Sequence, residues 1–171
     1  STGVIGAGTM GRGIVASLAD SGLPVTVVEA SQEALDNGMT EIVKLYDGMV
    51  QRGRIDAAEK DERRARITGA VVFEALSNTD LVIEAAFEDL DVKKQIFGDL
   101  DKVAKPGAIL ATNTSYMDID AIAAATSRPE DVIGLHYFVP ANAMRLLEVV
   151  RPAKAAPDAI ATGMALAKKT G

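Results

Sequence analysis

The 171 residues contain one histidine, and its setting suggests what the chain is equipped to do. His136 lies in the apolar run Val132–Phe138, which reads as a strand. After a break at Pro140–Met144, the segment Arg145–Val150 reads as another strand. If that strand returns antiparallel about a turn centred on Asn142, His136 falls directly opposite Glu148. The two side chains then share a face, with Cβ atoms roughly 5 Å apart. A carboxylate on one imidazole nitrogen fixes the tautomer and leaves the other nitrogen basic, as a general base requires. A lone histidine is also commonly a satisfied structural residue, so the pairing alone leaves both readings open.

A second constellation stands at the start of the chain. Val4-Ile5-Gly6-Ala7-Gly8-Thr9-Met10-Gly11 has the form G-x-G-x-x-G, with an apolar strand before it and a helical pattern after it. Gly6 permits the tight turn out of the strand, Gly8 lets a pyrophosphate approach the backbone, and Gly11 allows close helix–strand packing. A helix starting near Thr9 and Met10 aims free N–H groups and a partial positive charge at the phosphates. Glu29 follows 18 residues after Gly11, closing the β-branched run Val25–Val28. There it is placed to accept hydrogen bonds from ribose hydroxyls. In this strand–turn–helix–strand–acid setting the motif predicts a dinucleotide site that includes Ala7 as well as the glycines. The bare alternative is a structural turn with no ligand.

The elements that must hold these groups alternate between strand and helix. Thr9–Ser21 carries Met10, Ile14, Val15 and Leu18 on one face, with Gly22 placed to end it and Pro24 to block continuation. Ser31 is placed to cap a long helix reaching about Arg52, and Asp56–Ile67 reads as a second, heavily charged helix. Together they form a helical hairpin inserted after the second strand. Its arginines (Arg52, Arg54, Arg63, Arg64, Arg66) have the pattern of a solvated face. Further strands are expected at Ala70–Phe73, Leu81–Ala85 and Ile109–Thr112, with helices near Asp89–Ala104 and Asp118–Ala124. The strands are continuous apolar runs, as both-face burial in a parallel sheet demands. Right-handed crossovers then give an α/β, Rossmann-type, doubly wound, mostly parallel sheet. In such sheets ligands lie outside the carboxyl ends of the strands. Glu84–Glu88, Asn113–Ser115 and Leu135–Phe138 all fall there, which brings Ala85 to the expected cofactor site.

Composition narrows the function. No apolar run approaches the roughly 20 residues needed to span a bilayer. The chain opens directly into a strand, with no signal-peptide pattern. The absence of cysteine excludes disulfides and thiol nucleophiles, and a single histidine argues against a transition-metal site. A net charge of −6 argues against nucleic acid as the main partner.

With these residues in view, the chain resembles the NAD-binding domain of the L-3-hydroxyacyl-CoA dehydrogenases. The segments Val4–Gly11, Leu81–Lys94, Thr112–Ser115 and Gly134–Val150 match that family in order and spacing, over nearly the whole chain. Gly134-Leu135-His136-Tyr137-Phe138 followed by Met144–Val150 is the most diagnostic part. The wording is nearest to the dehydrogenase part of multifunctional β-oxidation enzymes, which also carry an enoyl-CoA hydratase/isomerase domain. The resemblance implies NAD as cofactor and a 3-hydroxyacyl-CoA as substrate, oxidised at C3 to the 3-oxoacyl-CoA. It implies His136 as general base, Glu148 as its orienting partner, and Ser115 as hydrogen-bond partner of the 3-hydroxyl, with Asn113 nearby. Glu88 and Lys93 correspond to residues that contact the cofactor. Taken bare, Glu88 and Lys93 also fit solvated charges at a helix start, and Ser115 also fits an N-cap of the following helix.

Two positions depart from the family: Tyr116 stands where serine is frequent, and Val139 where asparagine commonly precedes the proline. The family continues past the position of Gly171 into another strand and a helical domain that supplies an active-site asparagine, most of the acyl pocket and a dimer interface. Residues 1–171 are therefore read as an NAD-binding domain cut from a longer chain, expected in a bacterial cytoplasm or an organelle matrix. Two competing readings are a β-hydroxyacid dehydrogenase, which needs a catalytic lysine, and a non-catalytic NAD-binding protein. Family-like lens crystallins illustrate the second of these.

Overall fold

The computed structural model describes all residues, 1–171, around one seven-stranded sheet. The strands are β1 (Thr2–Ile5), β2 (Val25–Val28), β3 (Ile67–Ala70), β4 (Leu81–Glu84), β5 (Ile109–Thr112), β6 (Val132–Tyr137) and β7 (Leu147–Val150). Their spatial order is β3-β2-β1-β4-β5-β6-β7, parallel throughout except for β7, which runs antiparallel to β6. The order reverses between β1 and β4, which is the crevice where a doubly wound sheet takes its ligand.

Six helices cover the sheet: α1 (Thr9–Asp20), α2 (Gln32–Gln51), α3 (Ala57–Ala65), α4 (Leu90–Val103), α5 (Ile119–Ala123) and α6 (Pro157–Thr170). Strand residues alternate between two cores. Val4, Val27, Ile83, Ala111, Ile133 and Leu135 pack with α1, α2 and α6. Ile5, Val28, Val82, Leu110 and Val132 pack with α4 and α5 on the other face. Burial on both faces is why the central strands β1, β4 and β5 show no polar alternation, whereas the edge strand β7 alternates, with Glu148 turned outward. It also fixes register, because a slip of one residue would exchange the two cores.

The helix ends follow local chemistry. Ser31 caps α2 by accepting from Ala34 N–H, and Asp56 with Glu59 forms a reciprocal capping box at α3. The helical hairpin therefore forms as its sequence predicts. The third strand differs from expectation: it is Ile67–Ala70, and Phe73–Leu76 is a 3-10 turn. Ile67 is buried, and Leu35 presses on Gly69, while Val71 and Val72 are exposed. Of this β-branched pair that imitates a strand, Val71 lines the crevice. The last strand is shorter than Arg145–Val150, with Leu147 and Val149 turned to the core. Helix α6 is not anticipated from the pattern. Pro157 opens it, and Ala159, Gly163 and Leu166 give it a thin buried stripe against β6 and β7.

Candidate active site

The glycine-rich turn is shaped by backbone contacts. Gly6 has φ +96°, and a Cβ there would lie 2.8 Å from the Ala85 carbonyl oxygen, so no side chain fits. A Cβ on Gly11 would overlap the Gly6 carbonyl. Gly8 is different: its φ is −70° and a Cβ would meet nothing within 4 Å. Neither strain nor packing within the protein requires glycine at position 8, so the space beside it is open to a ligand. Gly8 is also the N-cap of α1, and no side chain caps that helix or adds negative charge to its first turn. No side chain therefore accepts from the first N–H groups of α1, which leaves that helix end available to an anion.

Glu29 stands at the end of β2, half-buried. Its Oε1 accepts from Ala7 N–H at 2.5 Å and its Oε2 from Ala30 N–H at 3.1 Å, so the acid also braces the turn. A cleft of about 600 Å3 opens between these groups and is mostly apolar. Gly6, Gly8, Glu29, Val71, Phe73 and Ala85 line it, with Val92 and Ile96 of α4 opposite. An apolar slot with one carboxylate at its edge and the start of α1, free of side-chain caps, at its end fits adenosine and pyrophosphate.

Where the carboxyl end of β6 meets the amino end of β7, the expected pairing is present. His136 and Glu148 are register partners, and His136 Nδ1 lies 3.0 Å from Glu148 Oε2. The imidazole is 18% exposed and the carboxylate 53% exposed. The Phe138 ring stacks tilted on the imidazole, with centroids 4.5 Å apart. With Glu148 accepting from Nδ1–H, Nε2 is left as the basic nitrogen.

Asn113 is buried, and its Oδ1 accepts from Tyr137 N–H at 2.8 Å. It thus ties the loop after β5 to the residue following His136. Ser115 is exposed two positions further along that loop. Helix α5 takes Asp118 as its N-cap, accepting from Asp120 and Ala121 N–H groups, so the capping alternative for Ser115 is removed.

Glu88 and Lys93 are not a pair of solvated charges. Lys93 is completely buried, 2.7 Å from Glu84 Oε1 and 3.2 Å from Glu88 Oε1, while Glu88 is 41% exposed. Glu84, also completely buried, is the residue that sequence reasoning passes over. The available signal is an acid at the end of the continuous apolar run Leu81–Ile83. No lysine lines the cleft.

Comparison with known proteins supplies the context. The family model described as 3-hydroxyacyl-CoA dehydrogenase, NAD binding domain, matches residues 1–171. A peroxisomal bifunctional enzyme of Cavia porcellus is 42% identical over 170 residues, 99% of this chain and 23% of that protein. A fatty acid oxidation complex subunit alpha of Psychrobacter cryohalolentis is 42% identical over 98% of this chain and 23% of its own length. Among solved structures, a (S)-3-hydroxybutyryl-CoA dehydrogenase from Ralstonia eutropha superposes with TM-score 0.97 at 36% identity, covering 99% of this chain and 60% of that one. The dehydrogenase part of a multifunctional enzyme from C. elegans gives TM-score 0.90 at 28% identity, covering 99% and 39%. The chain thus spans about a quarter of the curated relatives it matches.

Proposed function

The chain belongs to the family of 3-hydroxyacyl-CoA dehydrogenase NAD-binding domains, and from that premise we propose that it supplies the cofactor site and the proton-transfer pair for oxidation of an L-3-hydroxyacyl-CoA. The observation that carries the reading is the His136–Glu148 pair, at 3.0 Å, on adjacent strand ends of the sheet whose crevice holds the dinucleotide site. NAD, when bound, accepts the hydride from C3 of the substrate. The residues of this chain do the rest. Gly6–Gly11 and the start of α1 hold the pyrophosphate, and Glu29 holds the adenosine ribose. Ala85, Glu88 and Asn113 border the nicotinamide half, and Lys93 acts on it through Glu88. Neutral His136 takes the 3-hydroxyl proton at Nε2, Ser115 orients that hydroxyl, and Glu148 stabilises the imidazolium that forms.

We further propose that the chain acts with a following helical domain, in a multifunctional and homodimeric enzyme of fatty acid β-oxidation. Its place is then a bacterial cytoplasm or an organelle matrix. No helix is long and apolar enough to cross a membrane.

The test is acetoacetyl-CoA reduction by NADH in the intact protein that carries this chain. His136→Ala is expected to lower kcat at least about 10²-fold and to leave NADH affinity nearly unchanged, because the base acts on the substrate proton. Glu148→Gln is expected to lower kcat and alter its pH dependence. Near-normal turnover in His136→Ala would return the histidine to a structural role.

A further inference from the structure

Below the turn Ala85–Glu88, two fully buried charges meet at the carboxyl ends of β4 and β5. Burying an ion is costly unless every lone pair and proton is engaged, and here they are engaged closely. Glu84 Oε1 accepts from Lys93 Nζ at 2.7 Å and from Ala86 N–H at 2.8 Å. Its Oε2 accepts from Lys93 Nζ at 3.0 Å and from the Thr112 hydroxyl at 2.8 Å. Glu84 and Thr112 are register partners on β4 and β5, so the pleat delivers both side chains to the α4 face. Lys93 reaches on to Glu88, whose Oε2 accepts from the Thr114 hydroxyl at 2.7 Å. Thr114 Oγ1 in turn accepts from Met117 N–H at 3.3 Å, which shapes the turn carrying Ser115.

The result is a closed circuit through three segments: the end of β4, the start of α4, and the loop after β5. Only Glu88 reaches the surface. A core position could be filled more simply by apolar residues, which often equal or exceed a buried ion pair in stability. This circuit lies instead at the strand ends where the sheet receives its ligand, and its two exits are the loops bearing Glu88 and Ser115. We infer that Glu84 is a positioning residue: through Lys93 and Thr112 it fixes those two loops against each other, and with them the cofactor contact and the substrate hydroxyl contact. The inference rests on the function proposed above.

The test uses the intact protein with acetoacetyl-CoA and NADH, together with NADH titration and thermal melting. Glu84→Gln keeps the shape and removes the charge. It is expected to lower kcat about tenfold or more and to weaken NADH binding several-fold, since small misplacements of reacting groups are costly. Thr112→Val removes only the hydroxyl at constant volume and is expected to lower kcat about threefold or more, with Thr112→Ser restoring it. The double variant Glu84→Gln/Lys93→Met removes both buried charges. It is expected to recover melting temperature without recovering turnover, and it decides the matter with Thr112→Val if Glu84→Gln does not fold. Turnover within about twofold of wild type in Glu84→Gln and Thr112→Val would overturn the inference. So would recovery of turnover in the double variant, because the circuit would then be structural only. If wild type does not reduce acetoacetyl-CoA, the proposed function fails. The NADH titration then decides for Glu84, and an unchanged affinity in Glu84→Gln overturns its role.

Discussion

Gly8 and Gly11 lie three residues apart and answer to different constraints. A Cβ at Gly8 enters open space, whereas one at Gly11 overlaps the Gly6 carbonyl. Gly8→Ala is therefore expected to melt like wild type and bind NADH at least about tenfold more weakly, the alanine standing where the pyrophosphate approaches. Gly11→Ala is expected to lose about 1–3 kcal/mol of stability, the usual cost of overpacking. Melting curves beside NADH titrations separate the two, and equal NADH affinity in Gly8→Ala would contradict a phosphate at that position. The same logic applies to Glu29. Its carboxylate faces the cleft, and no Arg or Lys occurs between it and Lys44 to balance a ribose phosphate. NADH is expected to bind more tightly than NADPH, and Glu29→Ala to weaken NADH by about 1–3 kcal/mol. Tighter binding of NADPH would sink this argument.

At the scale of elements, Arg128 shows how the layers are locked. Its guanidinium donates to Asp101 Oδ1 at 2.9 Å and to the carbonyls of Asp101, Ala104 and Lys105, so it closes the carboxyl end of α4 just before β6. Arg128→Ala is expected to cost about 1–3 kcal/mol, because it leaves several of these acceptors unpaired. Burial pushes the Asp101 carboxyl up, but the Ser127 N–H and hydroxyl and the Arg128 guanidinium outweigh it and hold the group below the usual carboxylate range. A carboxyl lowered on folding contributes stability above its unfolded value, about 3.9, and loses it as pH falls through the folded value. The difference in stability between wild type and Arg128→Ala should therefore narrow below about pH 4; chemical denaturation at pH 7 and pH 3 checks it. Elements whose sequence carried both a period and a cap, such as α2 and α3, were legible before the structure. So was the His136–Glu148 register, because the turn centre dictates the partner in an antiparallel pair. Strand β3 differs from expectation because the branched pair Val71 and Val72 follows the strand and is exposed, Val71 lining the cleft. Helix α6 was missed, since its buried stripe is only three small or aliphatic residues. Glu84 was illegible for another reason: its partners lie 9 and 28 residues away, on different elements, and only the α4 crossover and the β4–β5 register bring them together.

For the whole molecule, the question is which steps these 171 residues can complete alone. The nucleotide cleft is lined by β1, β2, α4 and the segments that follow β1, β2, β3 and β4, all within the chain. The surface beside His136 and Ser115 is unlike it. Tyr116, Val139, Met144 and Leu146 are 73%, 60%, 45% and 56% exposed, on loops at the carboxyl ends of β5 and β6 and just before β7. Large apolar side chains gathered at one end of a sheet mark a face that takes a partner, and the proposed helical domain would cover it. Rate acceleration needs the acyl thioester held at reacting distance and water kept out, and an open face supplies neither. The isolated chain is therefore expected to bind NADH with an affinity close to that of the intact protein. Its turnover of acetoacetyl-CoA is expected to be lower by about 10²-fold or more, although His136 and Glu148 are already in place. It is also expected to self-associate at high concentration through the exposed face. NADH titration, acetoacetyl-CoA reduction and sedimentation on one preparation read all three. Efficient turnover by the isolated chain would mean that the substrate site lies within these residues. A failure to bind NADH would undo the assignment of the glycine-rich cleft.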